Sequence, residues 1–329
     1  GRFAAWTSNE SGQYKVWLYD RTTGKTKRIA KGEKKLDRII DRSWPVLAWH
    51  PTGRALTWTT EKKGELYLTT YTLDDKARSR KPVFMLEKIL SMAYSADGQN
   101  MVFSGVLEGR TDLYLYHVIG NRQDKLTDDH YDDLDPVFAD DDASILFSSD
   151  RPDDTLRANA DVTWWRSRKD IFRYDLRTRS NVLARLTATP DIDEREPTPW
   201  DSANYACLSG AGGITDRWLL HFDSAITAVD TTVHYRYFTT AARATKGKRS
   251  IAEQDVLAGR GELAQLMIKD GKYHFLIGRT AGAPEPSGQQ EPGPAPGNGA
   301  AGGGGAVTDD MSPVVKTDLI PAPDTTDQA

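Results

Sequence analysis

Five times along the chain a strand-forming run ends in an aromatic residue or leucine followed by Thr or Ser, and a charged, aromatic-bearing run comes next. The first runs end at Trp6-Thr7, Trp58-Thr59, Phe103-Ser104, Phe147-Ser148 and Leu208-Ser209. The second carry Trp17, Tyr67, Tyr114, Phe172 and Trp218, and successive members of that series stand 50, 47, 58 and 46 residues apart. Self-similarity at about 40 to 50 residues, in short strand-forming runs without a helical period, is the signature of β-propeller blades.

One repeat displays the unit. Met92-Ala93-Tyr94 leads into Ser95-Ala96-Asp97-Gly98, where Asp-Gly suits a tight turn with positive φ. Met101 to Ser104 returns, Glu108-Gly109-Arg110 turns again, Asp112 to Tyr116 is a third strand, and Gly120-Asn121 leads to a fourth at Gln123 to Leu126. Trp49 to Gly53, Phe138 to Asp142 and, more loosely, Trp200 to Asn204 open other units. Leu266 to Gly271 with Phe275 to Gly278 predicts the first two strands of a sixth. The fold class is therefore all-β, a propeller of four-stranded antiparallel blades, with about five blades in residues 1–278 and six or more in the ring. The chain opens on the second strand of a blade. Either earlier strands precede this sequence, the favoured reading, or the late strand closes the ring against the first blade.

Residues 279–306 turn to Gly, Pro, Ala and Gln and predict a flexible linker. Residues 307–329 form a polar tail in which Val314, Val315, Leu319 and Ile320 offer a short docking strand. The tail is expected to lead to a further region. A net charge of −4 leaves no basic excess to neutralise a phosphate backbone, so nucleic acid is excluded as a partner class. Cys207 is the sole cysteine, which rules out an internal disulfide and a cysteine metal cluster. No apolar run approaches the length of a membrane-spanning helix, and Gly1 to Trp6 is no export signal.

Tyr94-Ser95-Ala96-Asp97-Gly98, Met101 to Ser104, Asp112-Leu113-Tyr114 and Lys125-Leu126-Thr127 together resemble the WD40-like repeat of TolB-type propellers. Arg185-Leu186-Thr187 repeats the Leu-Thr end mark. The resemblance covers residues 1–278. It departs from the pattern at Ala96, where the repeat carries Pro, and at Asp140-Asp141-Asp142, which stands for Pro-Asp-Gly. The resemblance implies a propeller of six or more blades in the bacterial envelope, periplasmic or associated with the outer membrane, that binds other proteins. TolB's amino-terminal domain has no counterpart in these residues. Longer envelope propellers of secretion or motility machinery fit the terminal linker equally well.

The densest charge lies in Thr127 to Pro136, where Asp132, Asp133 and Asp135 align with Asp193, Glu194 and Glu196 of the next repeat. These carboxylates stand where an innermost strand begins, so they are expected near the mouth of the central channel. There they would focus negative potential on a cation or a basic peptide; alternatively they are solvated turn residues bonded to nearby backbone N–H groups. Calcium has the right preference for oxygen ligands, but the spacing is not that of an EF-hand loop, and no cofactor is expected. The second candidate is an insertion between Phe147 and Phe172 that carries Arg151 to Asp154 and the trio Trp164, Trp165 and Arg166. Adjacent Trp residues beside Arg are residue types of interface hot spots, and equally of a Trp packed on a blade edge. Strand parity places the acidic loops and the insertion on one face.

Catalytic signatures are missing: there is no Gly-x-Ser-x-Gly elbow, no His-Glu-x-x-His pair and no phosphate-binding Gly loop. The leading expectation is a non-catalytic scaffold that docks a protein or peptide on its acidic, Trp-bearing face. The alternatives are a glycan-cleaving enzyme using channel carboxylates such as Asp133 and Glu194, and the propeller of a larger serine peptidase.

Overall fold

The computed structural model describes residues 1–9, 13–32, 45–157, 168–189, 191–229 and 233–280, together with the backbone of 311–313 and 319–321. The sheets are antiparallel meanders in chain order, apart from the last short tail strand of the sixth. The first has three strands, β1 (Phe3–Ser8), β2 (Lys15–Asp20) and β3 (Lys25–Lys31). Sheet two holds β4 (Leu47–Trp49), β5 (Ala55–Lys62), β6 (Glu65–Thr72) and β7 (Arg78–Val83). Sheet three holds β8 (Lys88–Tyr94), β9 (Asn100–Leu107), β10 (Arg110–His117) and β11 (Arg122–Lys125). The fourth is β12 (Asp133–Ala139), β13 (Ser144–Ser149), β14 (Asp170–Asp175) and β15 (Ala184–Arg185). The fifth is β16 (Glu194–Pro199), β17 (Asn204–Ser209), β18 (Asp216–Val229) and β19 (Val233–Arg243).

The sixth sheet corrects the count of about five blades. It begins with β20 (Ile251–Leu257), so β21 (Glu262–Lys269) and β22 (Lys272–Arg279) are its second and third strands rather than its first and second. Two short tail strands, β23 (Met311–Pro313) and β24 (Leu319–Pro321), both pair with β22. Leu319 and Ile320 thus fall in a docked strand, as their apolar character suggests. Residues 281–310, which include most of the expected linker, and Val314 and Val315 lie outside the described residues. The architecture is an all-β six-bladed propeller built mainly of four-stranded sheets. Trp17, Tyr67, Tyr114, Phe172 and Trp218 fall on the equivalent strands β2, β6, β10, β14 and β18. Among the described residues, no helix is long and apolar enough to cross a membrane.

The chain divides into two compact units, residues 1–145 with 156–163 and residues 146–155 with 164–329. In the first unit successive sheets bury their apolar residues against one another. Val16, Leu18, Ile29, Leu56, Trp58 and Tyr71 form one cluster. Leu66, Leu68, Ile89, Met101, Phe103 and Tyr114 belong to a second. Each such side chain contributes about 1.5–3 kcal/mol by leaving water. Polar ties set the spacing between sheets: Thr57 Oγ1 lies 2.8 Å from Tyr94 Oη, and the Asp142 carboxylate accepts the Ala96 N–H at 2.9 and 2.8 Å. Gly98 serves twice in the Asp97-Gly98 turn. Its φ is +70°, and a Cβ there would meet Nε2 of His50 at 2.5 Å. Only glycine satisfies both.

In the second unit Trp200, Ala206, Leu219, Ala244 and Leu263 make an apolar cluster. Two fully buried arginines stand within this unit. Arg217 lies 5.5 Å over the Trp200 ring and donates to Gln254 and Gln265 at 2.8 Å each. Arg151 sits 5.7 Å from both Phe147 and Phe172. Their charges are held by ring faces and amide oxygens, which keeps the cost of burial down.

Candidate functional site

The acidic loops are best understood from a tie that three blades share. Asp112 stands near the start of β10, and the strand beside it, β11, ends at Lys125 and is followed by Leu126-Thr127. Thr127 Oγ1 accepts the N–H of Leu113 at 2.9 Å, Asp112 Oδ1 accepts the N–H of Asp129 at 3.2 Å, and Lys125 Nζ lies 2.8 Å from Asp112 Oδ2. The next blade repeats this with Asp170, Arg185 and Thr187. Thr187 Oγ1 accepts Ile171 N–H at 2.8 Å, Asp170 Oδ1 accepts Thr189 N–H at 3.0 Å, and Arg185 pairs with Asp170 Oδ2. The fifth sheet does so again: Thr245 Oγ1 takes Arg217 N–H at 2.9 Å, Asp216 Oδ1 takes Gly247 N–H at 3.0 Å, and Arg243 pairs with Asp216. The Leu-Thr end mark of the sequence is one half of this tie. Its other half, the Asp at the head of the third strand, is buried in all three blades.

The tie satisfies backbone donors where the third and fourth strands part, and an unsatisfied buried donor would cost about 1–3 kcal/mol. Asp112 nevertheless sits in a crowded place. Asp112, Asp129 and Asp133 are all buried, and one carboxylate oxygen of each lies within 4.8 Å of the others. Burial raises the Asp112 pKa above the usual carboxylate range, against the pull of Lys125. Three oxygen donors suit a hard divalent cation such as calcium or magnesium, and the Lys125 ammonium already supplies positive charge to the same cluster.

The residues singled out from the sequence sort by depth. Asp133 is fully buried and Glu194 is 5% exposed, so neither belongs to a solvated rim. Ser104 Oγ donates to the Asp133 carbonyl at 2.6 Å. Ser209 Oγ donates to Glu194 Oε1 at 3.4 Å, and the Thr187 and Thr189 hydroxyls bear on the same carboxyl. Burial raises the Glu194 pKa. The half-buried Asp193 accepts the N–H of Lys169 at 3.1 Å, and Glu196 accepts the N–H of Gln254 at 2.7 Å. Asp132 and Asp135 are half-buried. The alignment of Asp135-Pro136 with Glu196-Pro197 is matched by the backbone: φ is +52° at Asp135 and +51° at Glu196. The exposed part of the acidic loop is Asp128 and His130, and Asp128 pairs with Lys125 and Arg110. Trp164, Trp165 and Arg166 lie outside the described residues.

No protein-family model and no curated protein sequence matches the chain. Solved structures do. TolB from Acinetobacter baumannii superposes with a TM-score of 0.57 at 14% identity, over 85% of this chain and 61% of that one. The chain thus spans about three fifths of that TolB. A putative TolB from Agrobacterium tumefaciens gives 0.57 at 15% identity, over 84% and 86% of the two chains. The tricorn protease gives 0.50 at 15% identity, with 84% of this chain on 28% of that one. At these identities the likeness shows the fold, the β-propeller of TolB, and leaves the activity to be argued from the site.

Proposed function

We propose that the chain is a non-catalytic scaffold of the bacterial cell envelope that docks a protein or peptide partner through its acidic loop. The observation that carries this reading is the depth of the carboxylates. A glycan-cleaving pair must reach a glycosidic oxygen and a water or sugar carbon, and Asp133 and Glu194 are 0% and 5% exposed. Their place is in the seams between strands. What the loop offers to a partner is Asp128 and His130, with the half-buried Asp132 and Asp135 beside them. Such charges steer encounter more than they hold a complex together. The likeness to TolB structures supports an envelope platform, and the Trp164, Trp165 and Arg166 trio would supply the aromatic anchors that acidic rims lack.

The test has two stages. Crosslinking in the native envelope followed by mass spectrometry identifies the partner. Association is then measured with Asp132→Asn/Asp135→Asn and with Trp164→Ala/Trp165→Ala. The acidic pair should slow association and flatten its salt dependence, and each Trp change should weaken binding by about 1–4 kcal/mol. Unchanged binding in both sets would sink the face assignment. Glycan turnover abolished by Asp133→Asn would replace the scaffold reading with the enzymatic one.

A further inference from the structure

The protein carries a net charge of −4, yet two of its outer strands are strongly basic. Strand β3 reads Lys25-Thr26-Lys27-Arg28-Ile29-Ala30-Lys31, and β7 begins Arg78-Ser79-Arg80-Lys81; neither contains an acid. Both belong to the first compact unit, and Arg78 bridges them by donating a guanidinium N–H to the Ile29 carbonyl. Between them lies a cavity of about 350 Å³, lined by Lys31, Arg78, Ser79 and Arg80 and by Thr60 and Thr69. That volume is at the small end of ligand sites, which run from about 300 to 1,000 Å³.

The lining has the chemistry of an anion site. Among the described residues, none that lines it is acidic. Among the described residues, no carboxylate pairs with Lys31, Arg78 or Arg80. The two arginines rest instead on rings, with Arg78 5.7 Å over Tyr71 and Arg80 5.6 Å over Tyr67. A guanidinium so placed keeps its planar edge and most of its five donors for another partner. The acid on the adjoining strand, Glu65, accepts the Tyr67 hydroxyl at 2.5 Å, and Glu61 is followed directly by Lys62 and Lys63. The floor is firm: Thr60 Oγ1 and Thr69 Oγ1 lie 3.1 Å apart across β5 and β6, and Trp58 beneath them is 2% exposed.

We propose that this cavity is a binding site for a small, multiply charged phosphate-bearing anion. Lys31, Arg78 and Arg80 act as its counter-charges, and the Thr60 and Thr69 hydroxyls complete its hydrogen bonds. The site is separate from the acidic loop and stands or falls independently of the docking reading.

Titration with inorganic pyrophosphate at low ionic strength tests the free anion, and co-sedimentation with phosphatidic acid vesicles tests the same chemistry on a lipid headgroup. Saturable binding in either arm is expected, weakened about tenfold or more in Lys31→Gln/Arg80→Gln, the loss of one or two charge-assisted bonds. Both side chains are exposed, so the thermal midpoint should not move. A control, Lys25→Gln/Lys27→Gln, removes two charges from the same strand outside the cavity and should change binding less than about twofold. Absence of saturable binding in both arms overturns the proposal. So does equal weakening by the control, which would reveal a diffuse basic surface rather than a site.

Discussion

The ties headed by Asp112 and Asp170 have the same hydrogen bonds but differ in counter-ion and in how many acids crowd them. Around Asp170 the counter-ion is the fork of Arg185, which also donates to the Thr187 carbonyl at 3.0 Å and the Pro152 carbonyl at 3.2 Å, and one further buried carboxyl, Glu194, is close enough to feel the Asp170 charge. Around Asp112 the counter-ion is Lys125, a point charge shared with Asp128 at 2.5 Å, and two further buried carboxylates crowd the same spot. Where one blade has Asp129 and Asp133, the next has Thr189 and Glu194. The backbone geometry is thus held by one Asp and one Thr. The positions around them are free to accumulate or shed charge. A repeat can keep its shape while each copy acquires its own electrostatic character.

Removing the acid breaks the comparison most sharply. Asp170→Ala leaves the part-buried Arg185 unpaired and a backbone N–H orphaned, and should cost about 3–5 kcal/mol in urea unfolding. Asp112→Ala should cost clearly less, because it relieves repulsion from Asp129 and Asp133 and leaves Lys125 with Asp128. Equal losses would mean that the extra carboxylates exert no strain.

Next in size are the threonines. Thr127→Val, Thr187→Val and Thr245→Val each strip a buried N–H of its acceptor and should cost about 1–3 kcal/mol apiece by the same measurement. Near-equal values would support one geometry in three blades, and a negligible loss at any one of them would remove that blade from the set.

Glu194→Gln tests the pH dependence. Burial raises the folded pKa of Glu194 above its unfolded value. The native state therefore holds this proton more tightly, and the resulting stabilisation is present below the unfolded pKa and lost as pH rises through the folded one. The amide should be as stable as the parent at neutral pH, or more so, and should flatten the fall in stability between mildly acidic and neutral conditions. A steeper fall in the variant would contradict the assignment. The smallest effect belongs to Asp132→Asn, expected within about 0.5 kcal/mol of the parent because the change is isosteric and keeps a polar side chain at a half-buried loop position.

The blades were legible because their signals are local. Asp97-Gly98 announces a turn, and the aromatic markers recur at a readable interval. The ties were only half legible. Leu126-Thr127 and Leu186-Thr187 stand out as end marks, whereas their partners Asp112 and Asp170 lie on another strand at no fixed distance. Depth was illegible for a different reason. Asp132 and Asp133 are neighbours in sequence, and the strand begins between them, so alternation buries one and not the other. Strand β20 escapes the sequence pattern because, after the buried Ile251, it alternates half-buried and exposed positions with charged residues and carries no aromatic marker.

The basic residue of the tie follows its Asp by 13, 15 and 27 residues in the three blades. Most of the excess in the last case is spent in the β18–β19 hairpin, whose strands pair with each other from Trp218–Arg243 out to Val229–Val233, well past the last β17 partner at Asn204–His221. The clamp closes at one end of the hairpin and is indifferent to what lies at the other. Length can therefore be added there by insertion without disturbing the register of the blade. A peptide tag or a foreign recognition loop spliced between Val229 and Val233 would be carried on a ribbon already anchored at its root.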